Sequence, residues 1–100
     1  MKDEEDVYEE YRNRLLVNND ILRLEIYETF AGTDFIINTV DLVELLKYGK
    51  DKDIIEELEE IKQNIFKVDT NKYTKLEKQG YLFITKGYIL RLKSRCSNER

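Results

Sequence analysis

Tyr81-Leu82-Phe83-Ile84-Thr85-Lys86-Gly87-Tyr88-Ile89-Leu90-Arg91-Leu92-Lys93 is the stretch that sets the expected fold of this 100-residue chain. Two apolar runs, 81–85 and 88–93, flank Lys86-Gly87, and the glycine suits the positive φ of a tight two-residue turn. The stretch therefore predicts a β-hairpin. The cross-strand pairs expected on its core-facing side are Thr85 with Tyr88, Phe83 with Leu90, and Tyr81 with Leu92.

The clearest helical pattern covers residues 52–66. Its apolar positions recur at three- and four-residue spacing, and glutamates fill the opposite side. A second helix is predicted over residues 40–48, capped by Asn38 or Thr39, after a short strand at 35–37. The apolar face predicted for 52–66 consists of Ile54, Ile55, Leu58, Ile61, Ile65 and Phe66.

The N-terminal residues have a weaker pattern. Residues 4–17 predict a helix whose acidic first turn suits the helix dipole. Residues 20–30 fit either a helix capped by Asp20 or an alternating strand, and we favour the helix. Together they would form one apolar stripe suited to dimerisation, and a homodimer is expected. The stripe consists of Tyr8, Tyr11, Leu15, Leu22 and Ile26.

Residues 69–79 predict a short basic helix that Asp69 or Thr70 could cap. Tyr73 and Leu76 point to one side of it, and lysines and amides share the other. Each of the four glycines, Gly32, Gly49, Gly80 and Gly87, follows or interrupts a regular pattern, so each is expected at the end of an element or in a turn.

The segment Leu76-Glu77-Lys78-Gln79-Gly80-Tyr81, followed by the two apolar runs, resembles the end of a winged helix-turn-helix domain. In that family a recognition helix closes with Leu-Glu-x-x-Gly and runs directly into the wing. The resemblance covers about a quarter of the chain and implies an α+β fold and DNA binding. It divides the chain into a helical extension (1–30), a winged-helix-like domain (31–95) and a polar tail (96–100).

Charge is divided along the chain. Residues 1–60 carry 18 Asp and Glu against 7 Lys and Arg, a net charge of −11, whereas residues 61–100 carry 3 against 10, a net charge of +7. A concentration of one sign attracts a polyanion, although such lysines also keep an apolar surface in solution. The candidate nucleic-acid-binding residues are Asn71, Lys72, Lys75, Lys78, Gln79, Lys86, Tyr88, Arg91, Lys93 and Arg95.

Catalytic chemistry has few candidate residues. The chain contains no His and no Trp, and its one cysteine, Cys96, lies among polar residues near the C-terminus. Nucleophile and base pairs, zinc ligands and a glycine-rich phosphate loop are therefore missing from the sequence. We expect a non-enzymatic protein without cofactor or metal. The acidic start and short apolar runs predict no leader or membrane span, and hence a cytoplasmic protein.

Two functions follow from these patterns. The first is a DNA-binding regulator or accessory factor that uses the basic helix 70–79 and the hairpin 81–95. The alternative is an acidic protein-binding module or inhibitor, in which residues 1–60, and the acidic helix 52–66 above all, engage a basic protein.

Overall fold

The computed structural model of the chain describes residues 20–98, and that part is built from helices alone. It contains α1 (Ile21–Phe30), α2 (Thr39–Tyr48), α3 (Asp51–Lys67) and α4 (Lys75–Asn98), with no strand between residues 20 and 98. The predicted α+β fold, its winged-helix character and its hairpin are therefore wrong. The predicted helix 4–17 lies outside the described residues.

The first three helices begin where the sequence predicts. Asp20 caps α1 by accepting a hydrogen bond from the Arg23 backbone N–H at 3.1 Å, which settles residues 20–30 as a helix and not a strand. Asn38 caps α2 in the same way through the Val40 N–H at 2.8 Å. Such caps satisfy backbone donors that the first turn of a helix leaves unpaired.

α3 has the predicted amphipathic pattern. Ile54, Leu58, Ile61 and Ile65 are buried, whereas Glu56 and Glu60 are exposed to solvent. Phe66 was expected on the buried face, but 56% of its surface is exposed at the C-terminal end of the helix. The other predicted positions follow the 3.6-residue period of a helix that buries a single side.

α4 occupies the whole region predicted as a hairpin. Thr85, Tyr88 and Leu92 are buried and share a helical face with the half-buried Tyr81, because residues spaced by four, three and four lie on one side of a helix. Ile89, which the hairpin register placed away from the core, is buried as well. Phe83 and Leu90, which the hairpin register placed on the core, point outward. Because α4 is a helix with a period of 3.6 residues, its buried and exposed side chains do not alternate as they would in a strand.

The start of α4 corrects the predicted basic helix 69–79. Residues 70–73 form a turn in which Asp69 accepts a hydrogen bond from the Asn71 N–H at 2.8 Å. Thr74 and Glu77 then form a reciprocal capping box, with bonds of 3.1 and 3.2 Å between each side chain and the other residue's backbone N–H. This pair of caps places the helix start five residues after Thr70.

The glycines divide into two kinds. Gly32 has φ 78° just after α1, and Gly49 follows α2, where an added Cβ would lie 2.6 Å from the Leu45 carbonyl oxygen. Those two end elements, as predicted. Gly80 and Gly87 lie inside α4 with no positive φ, so the predicted turn at Gly87 is wrong.

The core joins α4 to the rest of the domain through aromatic rings and one loop. Phe35, predicted in a strand, lies in the loop after α1, and its ring centroid is 4.7 Å from Tyr81 and 4.8 Å from Tyr73. The side-chain amide of Asn64 donates to the Phe35 carbonyl at 2.8 Å and fixes that loop on α3. Ile26 and Phe30 of α1 are fully buried in the same core, so α1 is an integral part of it.

Candidate functional site: the outward face of α4

The side of α4 opposite the core carries large apolar residues in solvent. Leu76, Phe83 and Leu90, here called the α4 stripe, are 78%, 80% and 67% exposed. They recur every seven residues, with Gly80 and Gly87 at the positions between them that complete a heptad pattern. Nothing lies within 4 Å of a Cβ built on either glycine. A heptad seam of this kind is the surface that one helix offers to another.

Lysines follow one side of the α4 stripe. Lys75, Lys86 and Lys93 are exposed, and their spacing of eleven and seven residues places them on one line along the helix. We call them the lysine edge. A seam of apolar residues flanked by one sign of charge favours a helix that carries the opposite sign at its flanks.

On its other side the α4 stripe borders a groove that separates it from α1. The groove has a volume of about 290 Å³ and is lined by Glu25, Phe83, Ile84, Gly87, Tyr88 and Arg91. Arg91 Nη1 and Glu25 Oε2 lie 3.2 Å apart across it. Gly87 contributes no side chain to the lining, and a Cβ built on it would meet nothing within 4 Å.

The predicted nucleic-acid residues are not gathered on one surface. Lys75, Gln79, Lys86 and Lys93 lie along the outward side of α4. Three others hold the fold together. Lys78 donates to the carbonyls of Phe66 and Val68 at the end of α3, Tyr88 is buried with its hydroxyl 2.7 Å from Thr29 Oγ1, and Arg95 binds carboxylates of other helices.

Three more of the predicted residues are placed apart from the lysine edge. Asn71 and Lys72 lie in the turn before α4, where Lys72 Nζ is 3.5 Å from Asp34 Oδ2. Arg91 forms the ion pair with Glu25. Residues 70–95 form neither a wing nor a separate basic helix at 70–79. The DNA-binding surface predicted from those two elements is therefore not assembled.

Charged side chains at the end of α4 form a clasp that is structural. Asp51, at the first position of α3, is buried and accepts hydrogen bonds from Arg95 Nη2 at 2.7 Å and Arg23 Nη2 at 2.9 Å. Arg95 also donates to Asp20 at 3.0 and 3.2 Å. The hydrogen bond from Arg95, more than that from Arg23, lowers the pKa of Asp51 against the opposing effect of burial.

Arg23 completes the clasp by binding the end of α2. Its Nη1 donates to the carbonyls of Leu46 at 2.7 Å and Gly49 at 2.9 Å. Its Nε is 3.0 Å from Asp20 Oδ2 but lacks the alignment of a hydrogen bond. Arg23 and Arg95 thus join four helix ends: the starts of α1 and α3 and the ends of α2 and α4. Because the charges of the clasp are paired with one another, the clasp is not a ligand site.

A second small cavity, about 150 Å³, lies between α2 and α3 and includes Asp41, Glu57 and Glu60 in its lining. Burial, then the neighbouring Glu60 and Asp41, raises the pKa of Glu57. No cluster of three or more metal-ligating side chains occurs in the described residues, 20–98. Asp41, Glu57 and Glu60 give the lining of this cavity an acidic character.

Sequence reasoning missed the α4 stripe although its signal is present. Leu76, Phe83 and Leu90 recur at seven residues, and Tyr81, Thr85, Tyr88 and Leu92 follow helical spacing. The two sets interleave, so residues 81–92 have apolar side chains in every direction. Because short, nearly continuous apolar runs are also typical of buried strands, the sequence favoured two short strands over one helix.

Comparison with family models, with curated proteins and with solved structures finds no match to this chain. Between residues 20 and 98, none of the helices combines the length and the apolar character that crossing a bilayer requires. What the site can do is therefore argued from its own residues.

Proposed function

We propose that this chain is a non-enzymatic protein-interaction domain that binds an acidic amphipathic helix along the outward face of α4. The observation that carries the proposal is the α4 stripe, three large apolar side chains held outward at heptad spacing. Exposed apolar residues are ordinary when scattered, but a continuous seam beside a groove is typical of helix recognition. The lysine edge supplies the preference for an acidic partner.

Binding of designed peptides to the full chain tests this function. The probe is an amphipathic peptide of about 20 residues with leucine at the seam and glutamate at the flanks, and the matched peptide has lysine at the flanks. We expect the glutamate peptide to bind, and the double substitution Phe83→Gln and Leu90→Gln to weaken it more than about tenfold. Ile37→Gln, at a residue 92% exposed on the loop before α2, is the control and should leave binding unchanged.

The other two functions suggested by the sequence are outcomes of the same experiment. Preferential binding of the lysine peptide would favour the acidic module of residues 1–60 and contradict the proposal. Binding of a DNA duplex that depends on Lys75 and Lys86 but not on Phe83 or Leu90 would favour the DNA-binding regulator. A glutamate peptide that binds the double variant as well as it binds the unchanged chain would exclude the α4 stripe.

A further inference from the structure

The groove beside α4 has the shape of a hole that receives a side chain from another helix. Four of its lining residues follow the spacing i, i+3, i+4 and i+7 along α4: Ile84, Gly87, Tyr88 and Arg91. Residues at that spacing are neighbours on a helix surface, and four of them enclose the hole that receives a knob when two helices pack. Gly87 leaves this hole without a side chain at one of its four corners, so a large knob can enter.

The volume and lining of the groove favour a large apolar knob. Its volume of about 290 Å³ is close to the lower limit, about 300 Å³, of sites that enclose a small ligand, so it suits one side chain. Tyr88 has the only hydroxyl among the six lining residues. That hydroxyl is paired within the protein, 2.7 Å from Thr29 Oγ1 and 3.3 Å from the Glu25 carbonyl oxygen. A polar group inserted beside it would lose hydration without gaining a hydrogen bond there.

The mouth of the groove favours an aromatic ring over an aliphatic side chain. Arg91 Nη1 and Glu25 Oε2 lie 3.2 Å apart there, with 63% and 47% of their side chains exposed. The ion pair holds the guanidinium by one edge, and a planar guanidinium also stacks on aromatic faces. A phenylalanine that enters beside Arg91 therefore gains a cation–π contact in addition to apolar burial.

The groove and the lysine edge lie on opposite sides of the α4 stripe. A helix is about 10 Å across with its side chains, so one that lies on the stripe has one flank toward the lysines and the other toward the groove. Gly87 falls between Phe83 and Leu90 in the sequence, within the length of the stripe. The charge of a partner and the size of one of its seam residues are therefore recognised by different residues of this chain.

We propose that the partner helix inserts one phenylalanine into the groove at Gly87, with its ring against Arg91. The inference rests on the proposed function, for which it names the residues that set specificity. Gly87 admits the ring because it has no side chain, and Arg91 favours an aromatic ring over an aliphatic group of the same size. The other seam residues of the partner meet the α4 stripe and are better suited by leucine.

A scan of the glutamate peptide locates the proposed phenylalanine. Each seam leucine is replaced in turn by phenylalanine or by alanine, and the affinity of each peptide for the full chain is measured. We expect phenylalanine to bind more tightly than leucine at one seam position only. At that position the phenylalanine peptide should bind more than about tenfold more tightly than the alanine peptide, or about 1.4 kcal/mol.

Matched glycine variants assign that position to the groove. Gly87→Leu fills the hole from within α4 and should abolish the preference for phenylalanine over alanine. Gly80→Leu adds the same side chain one heptad earlier and should retain the preference, even where it lowers the affinity of every peptide. Both glycines are helical and have open space, so both variants should fold. Gly87→Ala adds less bulk and should reduce the preference in part.

A peptide with cyclohexylalanine at the same position tests the contact with Arg91. This side chain is similar in size to phenylalanine but has no aromatic face. The unchanged chain should bind the phenylalanine peptide about threefold more tightly, and Arg91→Gln should bind the two peptides equally. Equal binding of the two peptides by the unchanged chain would contradict the contact between the ring and Arg91.

The outcomes separate this inference from the proposed function. Peptides that bind without favouring phenylalanine at any seam position would overturn the inference and leave the α4 surface in place. A preference that survives Gly87→Leu, or that Gly80→Leu removes as well, would also overturn it. If no peptide binds at all, the proposed function is contradicted, and this inference is contradicted with it.

Discussion

α3 and α4 pack against each other but differ in what they turn outward. α3 buries one apolar face and presents glutamates such as Glu56 and Glu60 to solvent. α4 also buries one face, but it presents Leu76, Phe83 and Leu90 to solvent. One outward face is suited to water, and the other leaves large apolar side chains in solvent. Under the proposed function, stability and recognition are therefore divided between the two sides of α4.

The largest effect tests that division directly. Leu92→Ala removes a fully buried side chain from the inner face of α4 and should lower the free energy of unfolding by about 3 kcal/mol. Leu76→Ala makes the same change on the outer face and should cost less than about 0.5 kcal/mol. Urea unfolding of both variants measures the difference, and similar losses would show that the two faces are not distinct.

The clasp that joins the starts of α1 and α3 to the end of α4 gives the next effect. Asp51→Asn removes a buried carboxylate from two arginines and should cost about 3 kcal/mol or somewhat less, because Arg95 is partly solvated. The pKa of Asp51 is lower in the folded state, so its contribution is complete above about pH 5 and is lost as the pH falls through the folded pKa. Unfolding at pH 7 and pH 3 should therefore differ less in the variant than in the unchanged chain.

Glycine substitutions distinguish the helix from the predicted turns. Gly80→Ala should stabilise the domain by about 0.5 to 1 kcal/mol, since Gly80 is helical and has space for a Cβ. Gly32→Ala should destabilise it by about 1 kcal/mol, because φ is 78° there. Thermal unfolding with opposite signs confirms the assignment. Destabilisation by Gly80→Ala would contradict the helical assignment of that residue.

The smallest effect concerns the acidic side of α3. Burial and two neighbouring carboxylates raise the pKa of Glu57, so its ionised form costs stability above that pKa. Glu57→Gln should therefore stabilise the domain by a few tenths of a kcal/mol at pH 7, and the gain should vanish as the pH falls and Glu57 takes up a proton. Glu56→Gln, on the exposed side of the same helix, is the control and should show a smaller gain.

The sequence allowed most of α1 to α3 to be predicted, because α1 and α2 each have a polar cap residue and α3 has one apolar face. Asp20 and Asn38 are such caps, and Ile54 to Ile65 follow one helical period. α4 was not predicted, since apolar residues lie on both its sides and a glycine sits in its middle. The Thr74-x-x-Glu77 capping box was the available signal that a helix starts there.

The candidate site was predicted only in part for the same reason. Lys75, Lys86 and Lys93 were selected for their charge, but Phe83 and Leu90 were assigned to the core through the hairpin register. Arg95 and Lys78 were selected as ligand-binding residues, yet their contacts depend on the ends of distant helices, which local pattern cannot place. The α4 stripe can be recognised only when residues 75–98 are treated as one helix, because the helical period then separates the outward apolar residues from the buried ones.

The clasp at Arg95 also has a consequence for the order in which the protein forms during synthesis. Asp20 and Arg95 are separated by 75 positions and Asp51 and Arg95 by 44, so a chain made from its N-terminus can close these ion pairs only after α1, α2 and α3 have been synthesised. Until then Asp51 has only Arg23 among these arginines, and the apolar face of α3 lacks α4. Folding of this domain should thus be completed only after nearly the whole of α4 has been synthesised.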